Sequence, residues 1–308
     1  MDILVEYKDG NGNITNSVYA LSWTAFIKHL AIAGQRYASR PEELLRSIGM
    51  FLHYAYYIRR RYFYQNKFSE PPDELFDPTE KGQFSNLAGK AIADFLSKKI
   101  NGSLFTVNYE AEMRIKNIKI KNQRPDLIAY SQDYKFAIES KGFSQNNPGD
   151  MGKHKKQAGS GPIEVNFSVA CVSYDLYREV KCNYYDPRNG DVPYDNETLK
   201  TLSKDYYSGL SRFLNFYHKE TEYQNEKFYE IMLFSHKNIS RFFRDEYFYA
   251  IYRYFCFDFD ELWLILPAKI NLFAENGITN EIKPFMFESK EENIYIDNDR
   301  VGLKLIPR

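Results

Sequence analysis

The sequence has few cysteines, and this excludes two classes of protein. Its 308 residues include three cysteines, Cys171, Cys182 and Cys256. An odd, sparse set with no C-x-x-C pair and no histidine at zinc-ligand spacing indicates neither a disulfide framework nor a structural zinc site. We therefore expect a reducing, cytoplasmic setting.

The sequence also lacks a net charge and a long hydrophobic run. Lys and Arg number 41, as do Asp and Glu, so the formal net charge is zero. Nucleic-acid binding is then expected only if the basic residues are segregated along the chain. The first residues contain acids and no long apolar stretch, so we expect no secretory signal. The most apolar later run begins at Leu262, contains Pro267 and Lys269, and is too short to span a bilayer.

What the sequence does contain is a change of pattern along the chain that predicts three regions. Residues 1–80 are predicted to be mainly helical after an initial strand and turn, with a helix beginning at Pro41. A proline-rich, acidic stretch over 69–82 indicates a boundary near residue 80. Residues 81–180 form the second region. Residues 181–308 are predicted to be an α+β region packed on it, with an aromatic helix over 240–257.

The middle region has the clearest order of elements. Apolar residues at helical spacing over 84–100 predict an amphipathic helix that ends at Asn101-Gly102. Alternation over 105–113 predicts a strand with one wet face, and a basic arm follows it. The runs DLIAY and YKFAI predict two buried strands. A short helix from about Asp150 and a strand within NFSVACVSYDLY complete the order helix, three strands, helix, strand.

Three charged residues lie on or beside the two buried strands. Glu139 and Lys141 are two positions apart, so their side chains project from one face of a strand. Asp126 follows Pro125 at the start of the preceding strand, and it lies beside Glu139 if the two strands pair. Because buried charge is costly unless paired or bound to metal, this arrangement predicts a site. Two converging carboxylates suit Mg²⁺ or Mn²⁺, which polarises a phosphodiester and activates water.

The stretch RPDLIAY, followed after a spacer by AIESKG, resembles the PD-(D/E)xK nuclease superfamily. Pro125-Asp126 matches the PD element, and Glu139-Ser140-Lys141 matches the E-x-K element. The family core has the order of elements predicted here, and the resemblance covers about a third of the chain. It implies an α/β fold with a restriction-endonuclease-like core (αβββαβ, a mixed central sheet flanked by helices). The helical N-terminal and α+β C-terminal regions are then extensions that resemble no family.

The resemblance also implies roles for individual residues. Asp126 and Glu139 would bind Mg²⁺ or Mn²⁺, and Lys141 would be the catalytic lysine. In several branches of the family a glutamine on the second core helix faces the site, and Gln157 has that place. Some members add an acid to the site. The residues here that could supply it are Asp94 on the first core helix and Glu110 or Glu112 after it, which leaves the number of metals open.

Basic residues are concentrated around this motif. The short helix carries Lys153, Lys155 and Lys156, and the arm before Asp126 carries Lys121 and Arg124. Together they predict a phosphate-binding surface in a basic middle region. The alternatives are a solvated helix face for the lysines and a structural Glu–Lys or Asp–Lys pair for the motif.

The sequence thus predicts a metal-dependent endonuclease that hydrolyses DNA and leaves a 5′-phosphate, in restriction or antiviral defence. Two alternatives stay open. One is a nucleic-acid-binding or assembly subunit with an inactive nuclease fold, and the other is an RNase with the same site. DNA is the expected partner, a homodimer or a defence-system partner protein is left open, and no membrane is expected.

Overall fold

The computed structural model describes residues 1–34, 49, 53–70, 77–121, 123–186, 190, 192–235 and 259–307. The helix predicted to begin at Pro41, the aromatic helix predicted over 240–257 and Cys256 lie outside the described residues. Within the described residues, no helix is both long enough and apolar enough to cross a membrane.

The first part of the chain alternates strands and helices. Its elements are β1 (Asp2–Asp9), β2 (Ile14–Ala20), α1 (Trp23–Ile32), α2 (Arg60–Phe63), α3 (Pro78–Asn101), β3 (Phe105–Asn108), α4 (Tyr109–Ile115), β4 (Leu127–Tyr130), β5 (Lys135–Gly142), α5 (Met151–Ala158), β6 (Phe167–Tyr174) and β7 (Lys181–Asp186). These strands form one mixed sheet in the order β2-β1-β7-β6-β5-β4-β3.

The second part forms a separate antiparallel sheet. Its elements are α6 (Asn196–Ser211), a 3₁₀ helix (Arg212–Asn215), β8 (His218–Tyr223), β9 (Glu226–Ser235), β10 (Phe259–Pro267), α7 (Ile270–Asn276), β11 (Phe287–Glu288), β12 (Ile294–Ile296) and β13 (Gly302–Pro307). The strand order is β11-β12-β13-β10-β9-β8. The protein is therefore a mixed α/β protein with a seven-stranded mixed sheet and a second, six-stranded antiparallel sheet.

In the seven-stranded sheet, β4 and β5 are internal strands and are buried. The strand β3 pairs antiparallel with β4, and β4 pairs antiparallel with β5. The next pairing, between β5 and β6, is parallel. All side chains of β4 are buried, as the apolar run DLIAY predicts. The sheet extends beyond the predicted middle region, because β1 pairs parallel with β7 and antiparallel with β2.

The strand predicted over 105–113 is wrong beyond Asn108. The chain turns there into the short helix α4, because the Asn108 side chain accepts a hydrogen bond of 2.9 Å from the Glu110 backbone N–H and caps the helix. Tyr109, Glu112 and Met113 are then buried at helical spacing. The predicted basic arm is also wrong, because residues 116–121 and 123–126 contain no strand.

The long helix α3 confirms the strongest prediction of secondary structure. It starts earlier than predicted, where the Asp77 carboxylate accepts a 2.7 Å hydrogen bond from the Thr79 backbone N–H. It ends as predicted, because Gly102 adopts the left-handed conformation with φ of 63°. Its buried face packs on β5 and β6 and against α1.

Candidate active site

Asp126 lies at the entrance to β4, next to the part of β5 that carries Glu139. The antiparallel pairing of β4 with β5 begins at Leu127 and Ile138, and Asp126 directly precedes it. The Asp126 backbone N–H donates to the Ile138 carbonyl at 3.0 Å, which holds the residue against β5. The Asp126 charge acts on both Glu139 and Lys141, so the two carboxylates lie close together at this end of the two strands.

Glu139 is the most buried residue of the motif. Its side chain has no exposed surface; Oε1 is contacted by the Lys141 ammonium, and Oε2 accepts no hydrogen bond from the described residues. Burial and the neighbouring Asp126 carboxylate raise the pKa of Glu139 to about 7, against the opposing charges of Lys141 and Lys90. This is an energetically unfavourable carboxylate that a bound cation would stabilise.

Lys141 extends from the same face of β5 as Glu139. Its Nζ lies 2.6 Å from Glu139 Oε1, and 28% of its side chain is exposed. Burial lowers the pKa of Lys141, but the Glu139 and Asp126 carboxylates raise it by more, so the net pKa is raised. The ammonium is therefore charged at neutral pH, beside the two acids and within reach of solvent.

The residue between Glu139 and Lys141 also contributes to the site. The Ser140 backbone N–H and hydroxyl donate to Asp126 Oδ2 at 3.0 and 2.8 Å. These two bonds fix the orientation of the Asp126 carboxylate. Ser140 was not among the site residues predicted from the sequence, although a hydroxyl residue inside an E-x-K motif was a visible signal.

Gln157 contacts the chain leading into the motif. Its side-chain amide donates to the Arg124 carbonyl at 3.3 Å and accepts from the Gln123 amide at 2.8 Å. Ser160, just beyond α5, donates to the Gln123 carbonyl at 3.1 Å. The end of α5 therefore fixes the segment before Asp126, and Gln157 has a positioning role in this geometry.

The predicted phosphate-binding residues have different surroundings. Lys153 and Lys156 on α5 are exposed, and so is Lys121. Lys155 is directed into the fold, where its ammonium donates to the Ser168 carbonyl and hydroxyl. Burial lowers the pKa of Lys155 to about 8. Arg124 is partly buried and forms an ion pair with Glu110.

Each residue that could add a third acid has basic partners of its own. Asp94 accepts from the His29 ring at 2.7 Å and has 1% of its side chain exposed. Glu112 is fully buried, where it accepts from Tyr130 at 2.6 Å and from Lys135 at 3.2 Å. Glu110 pairs with Arg124 and, at 3.8 Å, with Arg114.

A second cluster of charged residues lies between α1, α3 and the turn from β12 to β13. His29, Asp94 and Asp297 place ligand atoms within 4.8 Å of one another, an arrangement that could hold a metal ion. The Lys28 ammonium, however, lies 2.7 Å from Asp297, and the Lys98 ammonium also contacts Asp297. These two cations already neutralise the carboxylates, so the geometry favours a structural charge network. Nothing in the local sequence indicated it, because its members are distant along the chain.

Lys90 is a further basic residue near the motif that sequence reasoning gave no role. It follows Gly89, which lies against the Lys141 carbonyl, where an added Cβ would overlap the oxygen. Gly142 makes a matching close approach to the Ser85 carbonyl. Two features of the sequence could have indicated this contact. One is the glycine within the amphipathic helix, and the other is the glycine directly after the E-x-K element.

Comparison with family models, with curated proteins and with solved structures finds no match to this chain. The arrangement of Asp126, Glu139 and Lys141 is therefore interpreted from its own geometry and from the motif.

Proposed function

We propose that the chain is a metal-dependent nuclease that hydrolyses DNA phosphodiester bonds, with a PD-(D/E)xK site and a restriction-endonuclease-like core. The observation that supports this proposal is the proximity of Asp126 to Glu139 where β4 enters the sheet beside β5, with Lys141 Nζ 2.6 Å from Glu139 Oε1. A role in restriction or antiviral defence belongs to the same proposal.

The order of elements around the site supports the proposed core. The helix α3 precedes β3, β4 and β5, and α5 and β6 follow. The three strands form an antiparallel meander, and β6 joins β5 in parallel. This is the αβββαβ order of the restriction-endonuclease-like core, with β1, β2 and β7 added at one edge and the short helix α4 inserted after β3.

The residues fit a divalent cation. Glu139 offers one buried oxygen without a hydrogen bond from the described residues and a second that contacts Lys141, and Asp126 is oriented by Ser140 through one oxygen only. Carboxylate oxygens are the ligands that Mg²⁺ and Mn²⁺ prefer. A cation held between Asp126 and Glu139 would also offset the burial and the Asp126 charge that together raise the Glu139 pKa.

The three side chains have distinct tasks in this proposal. A bound divalent cation supplies Lewis-acid polarisation of the phosphodiester and lowers the pKa of the attacking water. Asp126 and Glu139 would hold that cation through their carboxylate oxygens. Lys141, charged and partly exposed, orients the water and stabilises the negative charge that develops on the phosphate oxygens.

The experiment is plasmid cleavage by the wild type, Asp126→Ala and Lys141→Ala, with Mg²⁺, with Mn²⁺ and with EDTA. We expect cleavage by the wild type with metal and at least a hundredfold slower cleavage by either variant, since removing one stabilising group costs about 10²–10³ in rate. Lys99→Ala, at an exposed position near the end of α3, is the matched control and should cleave DNA at a rate close to that of the wild type. Parallel digestion of labelled RNA separates a DNase from an RNase.

A nucleic-acid-binding or assembly subunit is the second candidate. The observation that favours it is that Lys155 and Gln157, both predicted to face the substrate, bond to Ser168 and to the 123–124 segment instead. Thermal unfolding with and without Mn²⁺ distinguishes the two candidates, because an ion that binds the native state stabilises it. Absence of both stabilisation by metal and cleavage would favour the second candidate.

A further inference from the structure

We infer that this site holds one divalent cation and that Lys90, from α3, supplies the second positive charge at the scissile phosphate. The inference rests on the proposed function and specifies the number of ions and an additional catalytic residue. Two-metal sites place the second cation where it stabilises the attacking or the leaving oxygen. In this chain, a side-chain ammonium takes that place.

The number of carboxylates at the site limits the number of ions it can hold. A second ion needs acidic ligands beyond Asp126 and Glu139, and these two are the carboxylates whose charges act on the Lys141 ammonium. The other acids near the motif are directed elsewhere. They are Asp94, which bonds to His29 and Thr106; Glu110, which pairs with Arg124; and Glu112, which bonds to Tyr130 and Lys135.

Moving Asp94 or Glu112 into the site would break a buried interaction, and moving Glu110 would break its partly exposed ion pair with Arg124. Asp94 and Glu112 have 1% and 0% of their side chains exposed, and their bonding partners are also buried. Removing a carboxylate from such surroundings leaves a buried cation without a partner, which is strongly unfavourable. The fold therefore provides ligands for one ion among its described residues.

Lys90 lies on the part of α3 that approaches β5. The helix α3 approaches β5 through Gly89, which touches the Lys141 carbonyl, so the next residue starts beside the site. The Lys90 side chain crosses the surface of Gly34, where an added Cβ would lie 2.6 Å from Lys90 Cδ and 3.3 Å from Nζ. The same point lies 2.9 Å from Leu127 Cδ2. The ammonium therefore lies near the side chain of Leu127, the residue after Asp126, and its charge acts on Glu139.

The Lys90 side chain is half-buried, and it forms no ion pair with any carboxylate of the described residues. Its charge favours the ionised form of Glu139. Lys141 already has Glu139 as a close partner, whereas Lys90 has its ammonium available for an anionic ligand. A phosphate held at Asp126 and Glu139 would be that ligand, contacted by Lys90 and Lys141.

The test is isothermal titration of the full chain with Mn²⁺, alone and with a short DNA duplex that carries a non-cleavable phosphorothioate linkage. We expect one ion per wild-type chain in both titrations. Lys90→Met keeps the long apolar stem over Gly34 and removes the charge. It should keep the single ion and bind the duplex about tenfold more weakly or worse, because it loses a charge-assisted hydrogen bond to the phosphate.

Lys99→Met is the matched control on the same helix, because Lys99 is exposed and lies far along α3 from Gly89. It should leave duplex affinity and ion number unchanged. Two bound ions in the wild type, or equal duplex affinity for Lys90→Met and wild type, would overturn the inference and leave the proposed function standing. Absence of Mn²⁺ binding by the wild type would instead overturn the proposed function, so the two failures are distinguishable.

Discussion

At the scale of single residues, Glu139 is the least stable ionised group of the proposed site. Its carboxylate has no exposed surface, and its pKa is raised to about 7 by burial and by Asp126. The unfolded chain has an ordinary glutamate pKa near 4.5. Between these two values the folded state binds more protons than the unfolded state, so ionising Glu139 reduces stability as pH rises.

Glu139→Gln should therefore stabilise the metal-free protein at high pH. The free energy of unfolding of the variant relative to the wild type should increase as pH rises from about 4.5 to 7 and level off above it. The increase should be at most about 3 kcal/mol, because one pKa unit corresponds to 1.36 kcal/mol. Urea unfolding in EDTA at pH 5 and pH 8 measures it. A difference between variant and wild type that does not change with pH would contradict this account.

Ser140 also affects the proposed metal site, because it bonds to one oxygen of the Asp126 carboxylate, a proposed metal ligand. Its hydroxyl donates to Asp126 Oδ2 at 2.8 Å. Ser140→Ala should retain the backbone hydrogen bond but weaken Mn²⁺ binding about tenfold, as is usual for groups that orient a metal ligand. Titration calorimetry measures the affinity. Ser160→Ala, which removes a hydroxyl bonded to the Gln123 carbonyl, is the control and should bind Mn²⁺ like the wild type.

At the scale of elements, the site depends on how closely α3 approaches β5. Gly89 on the helix and Gly142 at the end of the strand leave room for direct backbone contact. Larger residues would separate the helix from the strand by the thickness of a side chain. The close contact also brings Lys90 towards Asp126 and Glu139. The two glycines are therefore what allows a residue of α3 to take part in the site.

Gly89→Ala and Gly82→Ala provide a matched test of this contact on one helix. A Cβ at Gly82 meets nothing within 4 Å, so alanine there should stabilise the protein by about 0.5–1 kcal/mol through helix propensity. A Cβ at Gly89 overlaps the Lys141 carbonyl, so alanine there should destabilise it by about 1–3 kcal/mol, as overpacking does. Chemical denaturation compares the two. Equal effects of both substitutions would show that the close approach is unnecessary.

At the scale of the whole molecule, the two sheets are joined by a continuous core and by a buried charge network. Lys28 on α1 and Lys98 on α3 both contact Asp297 in the turn between β12 and β13. Lys28 also lies 2.9 Å from Asp299. The apolar core is continuous from β1 through α1 and α3 to β10 and β13. The helices that cover the first sheet are thereby attached to the second.

Asp297→Ala should destabilise the whole molecule. It would leave Lys28 and Lys98 buried with one carboxylate partner fewer, and breaking a buried ion pair costs about 3–5 kcal/mol. Urea unfolding followed by tryptophan fluorescence reports on both regions, because Trp23 lies on α1 and Trp263 on β10. Glu197→Ala, which breaks an ion pair whose glutamate is 85% exposed, should change stability by less than about 0.5 kcal/mol.

The sequence by itself determined the elements whose pattern is local. The period of α3, the buried runs of β4 and β5, and the capped helix α5 all follow from the spacing of apolar residues and from caps at Gly102 and Asp150. It also identified Asp126, Glu139 and Lys141 as candidates, because charges beside buried strands are visible without coordinates. The strand prediction failed beyond Asn108, where the capping side chain of a helix outweighed the alternating pattern of apolar residues.

Only the tertiary structure decided which side chains meet. The pairing of β4 with β5 brings Asp126 close to Glu139, and the close packing of α3 brings Lys90 to the same part of the fold. Lys155 turns inward to Ser168, although its spacing matches that of its exposed neighbours. The network of Lys28, Lys98 and Asp297 joins segments about 200 residues apart. Such contacts depend on packing and desolvation across the whole fold, and no window of sequence contains them.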